Sequence, residues 1–148
     1  MNLYKQNILI SFLVLYSVYC SITIGETWDE QAHLDQGEIV LKYLFSLGRI
    51  DDIFLYRENY SAIYWSLAYL TTKIFPSQYE IEISHLINLF FSLCTLVGIG
   101  KLCRELFNKA VGKIVFLILF FYPVFFGHMG INSKDSILAF RHIWITFF

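Results

Sequence analysis

Charge is what this sequence has least of. Asp, Glu, Lys and Arg make up 16% of the 148 residues and nearly cancel, to a net charge of −1. No basic surplus exists to neutralise a run of phosphates, so nucleic acid is not an expected partner. Cysteine is scarce too. Cys20, Cys94 and Cys103 are odd in number and show no CxxC or Cys/His spacing. They suit neither a disulfide framework nor a zinc site, and read as packing residues. Repeated halves with broken helices, the mark of many transporters, are not visible either. What the chain does have is apolar surface: 57% hydrophobic residues, 19% aromatic, mean hydropathy +0.56. That composition is too apolar for an ordinary soluble domain, and an all-α polytopic membrane protein is the expected fold class.

Three spanning helices and the start of a fourth are expected, at residues 8–24, 84–103, 111–127 and 136–148. The first run, "ILISFLVLYSVYCSITI", carries ten Ile, Leu, Val or Phe residues. At roughly −0.3 to −0.6 kcal/mol each they favour insertion by several kcal/mol. A cleaved signal peptide fits less well, since the run is long and only Lys5 precedes it. The last run, "AFRHIWITFF", stops short of the ~20 residues a span needs. The chain is therefore expected to be the N-terminal part of a longer protein. Arg141 and His142 in this run imply a polar partner or cavity beside it.

Charge asymmetry sets the expected sidedness. Residues 25–83 form a loop with ten acidic and four basic side chains. The short turn after the second span holds Lys101, Arg104, Lys109 and Lys113 against Glu105 alone. The positive-inside rule puts this basic turn in the cytoplasm, with the N-terminus, and puts the acidic loop and "GHMGINSKD" outside. Within the loop, "YSAIYWSLAYLTTKIFP" reads as a helix lying in the membrane interface, with Tyr60, Tyr64, Trp65 and Tyr69 at headgroup depth. A short true span is the alternative.

The loop opens on "TWDEQAHLDQGE". Thr27 and Glu30 have capping-box spacing, so an amphipathic helix is expected from about Trp28 to Leu47, ended by Gly48. Its expected apolar face is Ala32, Ile39, Val40, Tyr43, Leu44 and Leu47. Capping accounts for Glu30 but not for Asp29 and His33, which stand four residues apart on one helix face. The second polar cluster follows Pro123: Gly127, His128, Gly130, Asn132, Lys134 and Asp135 lie within nine residues at the mouth of a span. Such a cluster is a functional-site hypothesis; its plainer reading is a solvated turn in which Asn132 or Ser133 caps the next helix and Asp135 pairs with Lys134. His85 reads as a residue opening the second span.

The stretches "WDEQAHLDQGE", "SHLINLFFSLCTLVGIGKL" and "PVFFGHMGINSKD" together resemble the GT-C-type membrane glycosyltransferases. The nearest group is the dolichyl-phosphate-mannose-protein mannosyltransferase-like one, with protein O-mannosyltransferases and aminoarabinose transferases. The resemblance covers most of this chain and about the first third of a full-length member. It implies an inverting transfer of a hexosyl or pentosyl group from a polyprenyl-phosphate sugar to a lipid, glycan or protein acceptor outside the cytoplasm. It implies Asp29, supported by Glu30, as the base, and His128, Asn132, Lys134 and Asp135 near the donor phosphate. Ser133 and the run Ser136, Ile137, Leu138 stand where the family pattern has prolines, a departure that bears on the geometry of that turn.

The chemistry adds Arg57 as a further phosphate partner, since negative charge grows on the leaving group. No cofactor is required; a divalent metal is compatible with the residues but not demanded by them. The expected location is a bacterial inner membrane, or the endoplasmic reticulum of a eukaryote. The competing expectations are a transporter or flippase for lipid-linked sugars and a non-catalytic membrane fragment. The stretch of 148 residues is not expected to act alone.

Overall fold

The computed structural model describes residues 3–49 and 62–148, and every regular element among them is helical. The helices are α1 (Leu3–Thr23), α2 (Glu30–Phe45), α3 (Ala62–Thr72), α4 (Glu80–Leu106), α5 (Lys109–Phe121), α6 (Pro123–His128) and α7 (Ser133–Phe147), with one 3-10 turn at Ser77–Tyr79. Arg57 and Tyr60 lie outside the described residues.

The longest helix, α4, is the axis of the molecule and packs against α1, α3, α5 and α7. With the turn before it, the segment Ser77–Leu106 is 30 residues long and apolar enough to cross a membrane. It is the one such helix among the described residues; the apolar part of α1, Ile8–Thr23, is shorter. The expected third span is broken. Residues 111–127 divide into α5 and α6, with Tyr122 extended between them (φ −69°, ψ 115°). Pro123 has no N–H to give and bars its predecessor from helical backbone, yet it suits the first position of α6. Helix length and composition thus support one crossing directly, and do not by themselves establish three or four.

Burial is inverted relative to a water-soluble bundle. The inward stripe of α4 is His85, Asn88, Ser92 and Thr95 beside Leu89 and Leu96, whereas Phe90 and Val97 face out. Ser17 and Ser21 of α1 are buried, and Phe12, Leu15 and Tyr19 are exposed. Large apolar surface left outside needs a non-aqueous cover, and small polar residues inside let helices approach and hydrogen-bond. The apolar core that remains is a cluster of Leu13, Leu89, Leu96, Phe120 and Met129. Gly112 lets the backbones of α5 and α4 meet: a Cβ there would strike the Gly100 carbonyl of α4.

In α2 the sequence reading and the structure differ. Its buried residues are Glu30, His33, Leu34, Gln36, Gly37 and Val40, while Ala32, Leu44 and Leu47 are exposed, and the helix packs on α3. Of the expected apolar face only Val40 is buried. The cause is steric as well as hydrophobic: at Gly37 the Trp65 carbonyl of α3 occupies the space a Cβ would need. A helix turns the side that admits its neighbour's backbone toward that neighbour.

Candidate functional site

Two stretches about a hundred residues apart meet at one end of the bundle. One is the turn from α1 into α2, and the other is the turn from α6 into α7. Between them lies an open cavity of about 430 Å³, lined by Thr27, Trp28, Asp29 and His33 on one side and by His128, Asn132, Lys134 and Asp135 on the other. Asp29, His128, Asn132, Lys134 and Asp135, singled out from the sequence, therefore share one space. Glu30 does not face it, and Arg57 is outside the described residues.

The centre of the cavity is a three-residue contact. Lys134 Nζ donates to Asp29 Oδ2 at 3.3 Å, and His33 Nε2 lies 3.2 Å from the same oxygen. The four-residue spacing of Asp29 and His33 delivers that second contact. Trp65 of α3 holds both halves together. Its ring stacks on His33 with centroids 4.3 Å apart, and its Nε1–H donates to Ser133 Oγ at 3.4 Å.

Partial burial works to raise the pKa of Asp29. The Lys134 hydrogen bond and the charges of His33 and Lys134 outweigh it, and hold the carboxyl below its usual range. Asp29 is thus ionised at neutral pH. The stability this gives is complete above the ordinary aspartate value of about 4 and is lost as pH falls through the lower folded value.

Asp135 has a different partner from the one the sequence suggested. Lys134 reaches across to Asp29, so Asp135 turns back to Asn132, accepting from Nδ2 at 2.8 Å. Asn132 caps α7 by accepting the Asp135 N–H at 3.1 Å. Asn132 therefore has a complete structural role as well as a place in the cavity wall. His128, the last residue of α6, is exposed at the rim.

Glu30 supports the site from behind. Its Oε2 accepts the Thr27 N–H at 2.7 Å, which is half of a capping box. The Thr27 hydroxyl does not complete it; it reaches Asp29 Oδ1 at 3.4 Å instead. The other Glu30 oxygen lies 2.6 Å from Nε2 of His85, and His85 Nδ1 lies 2.9 Å from the Ser21 carbonyl. His85 is fully buried. A carbonyl only accepts, so Nδ1 carries a hydrogen, and the contact on Nε2 requires one more proton shared between imidazole and carboxyl. The pair is therefore an imidazolium with a carboxylate, or an imidazole with a carboxylic acid. The sequence shows His85 near this surface, but nothing in a 55-residue separation announces its partner.

A space of about 10 Å³, the size of one water molecule, lies deeper, between α2, α3 and α4. Asn88 and Tyr64 line it, and neither the Asn88 amide nor the Tyr64 hydroxyl has a hydrogen-bond partner among the described residues. No group of three or more His, Cys, Asp or Glu side chains is placed to hold a metal among the described residues. No family model matches this chain, and neither does a curated protein or a solved structure, so what the site does has to be argued from its own chemistry.

Proposed function

We propose that this chain belongs to a multi-pass membrane glycosyltransferase that moves a sugar from a polyprenyl-phosphate donor to an acceptor on the extracytoplasmic side. The observation that carries this reading is the shared cavity, in which the Asp29 carboxylate and the Lys134 ammonium stand 3.3 Å apart with His128 and Asn132 around them. The reaction needs a base on the acceptor and a cation on the leaving phosphate. In the proposed step the acceptor oxygen attacks the anomeric carbon as the bond to the phosphate oxygen breaks. The acceptor proton passes to Asp29, and the electron pair of the broken bond leaves with the phosphate, which Lys134 neutralises. Attack opposite the departing phosphate inverts the anomeric centre. A donor phosphate competes with Asp29 for Lys134, so donor binding frees the base that the step requires.

The membrane part of the reading draws on the inverted burial. α1, α4 and the α5–α6 pair are taken as crossings, with α2 and α3 against the outer interface and the basic turn between α4 and α5 inside. A flippase for lipid-linked sugars is the second reading, since the break at Tyr122 is a feature of many transporters. It ranks lower because the Asp29–Lys134 pair lies beyond the end of α1 and not midway along a helix.

The test is transfer of a labelled sugar from a polyprenyl-phosphate donor in membranes that hold the protein, wild type against Asp29→Asn. Loss of a general base lowers turnover by about 10²- to 10⁴-fold. Undiminished transfer by Asp29→Asn removes Asp29 as the base, and with it this mechanism.

A further inference from the structure

At the opposite end of the bundle, where α1 and α5 begin and α4 ends, lies a groove of about 340 Å³. Its floor is aliphatic and aromatic: Leu9, Leu13, Val97, Phe116 and Leu117. Its rim is cationic, with Lys101, Arg104, Lys109 and Lys113. The Gly112–Gly100 approach draws α4 and α5 together there and brings the four cations onto one rim.

Little on the protein answers this charge. Glu105 is the sole carboxylate in residues 83–134, and it meets Arg104 at 3.8 Å with both side chains exposed. Lys101 leans over the Trp144 ring, 5.3 Å from its centroid. Among the described residues no carboxylate pairs with Lys109 or Lys113.

The geometry points to a binding site for one anionic phospholipid, with an acyl chain along the groove and the phosphate between Lys109 and Lys113. Charge complementarity selects this occupant. A neutral lipid leaves Lys109 and Lys113 without a counter-charge, and a free phosphate leaves the apolar floor bare. Basic pockets between helices on the cytoplasmic face of a membrane have this combination of surfaces. The site does not depend on sugar transfer and shares with that reading only its placement in a membrane.

Native mass spectrometry of the whole detergent-solubilised chain tests it, with dioleoyl phosphatidylglycerol against dioleoyl phosphatidylcholine. Wild type is expected to retain phosphatidylglycerol preferentially. The double variant Lys109→Gln, Lys113→Gln is expected to lose that preference by about 30-fold, at roughly fivefold for each cation, with its helical circular dichroism unchanged. Asp29→Asn, at the far end, is expected to keep it. Equal retention of the two lipids by wild type overturns the proposal, as does an unchanged preference in the double variant or its loss in Asp29→Asn. Displacement of phosphatidylglycerol by millimolar inorganic phosphate also overturns it, by marking a site for the free anion.

Discussion

Glu30 uses each carboxyl oxygen for a separate task, one for the α2 N-terminus and one for His85. Both side chains are buried, so removal of one strands the other. Glu30→Ala is expected to destabilise the chain by roughly 3 kcal/mol, the cost of leaving a buried charged or hydrogen-bonding partner unmet. Glu30→Gln is expected to cost much less. Its amide can donate to a neutral His85 Nε2 while its carbonyl still accepts from Thr27. Denaturant melts of the two variants in one detergent decide this, and equal losses contradict the pairing. Part of this was legible in the sequence. The Thr27–Glu30 spacing announced the half of the capping box that forms, and the Asp29–His33 spacing put the two on one helix face, because both are local and periodic. The Glu30–His85 and Asp29–Lys134 contacts were not, because helix packing and not spacing brings them together.

At the scale of the element, α2 shows how far a local signal reaches. Gly48 was the expected stop, yet the helix ends at Phe45, and Leu47 is the first residue to take left-handed backbone (φ 56°). The Gly48 N–H bonds the Tyr43 carbonyl and the Leu47 N–H bonds that of Leu44, the two bonds of a Schellman motif. The position that most favours glycine is thus held by leucine, one residue before the glycine. Gly48 has its own reason, since it is also left-handed (φ 77°) and a Cβ there would press on the Tyr43 hydroxyl. Leu47 is 85% exposed, so truncation forfeits little burial. Leu47→Gly is therefore expected to stabilise the chain by about 1 kcal/mol. Leu44→Gly, in the helix proper, is expected to destabilise it by a similar amount. Thermal melts followed by circular dichroism distinguish the two, and a loss in both variants contradicts the strain at Leu47. The α5–α6 break was half legible. Pro123 stands in plain view inside the expected third span, but only the structure shows a fresh helix restarting on it.

For the whole molecule, the sequence shows the apolar runs that become α1, α4, α5 and α7, because hydropathy is a property of composition. It does not show which face of each run turns inward, because Gly37, Gly98 and Gly112 decide that by where they let a neighbour approach. The candidate site and the basic groove stand at opposite ends of α4, and in the proposed topology they face opposite compartments. Cysteine labelling checks this in a background with Cys20, Cys94 and Cys103 changed to serine. Trp28→Cys, at a position 94% exposed beside the site, is expected to react with an impermeant maleimide in intact cells. Phe107→Cys, 69% exposed in the basic turn, is expected to react only after permeabilisation. Labelling of both positions from one side contradicts the topology.

The proton held between Glu30 and His85 has a consequence of its own. His85 is closed off from bulk solvent, and Glu30 nearly so, while α2 rests on α3 and meets α4 through this pair. Isotope replacement at that position must therefore wait for α2 to lift, so the exchange half-life at His85 is a clock for the opening of this end of the molecule.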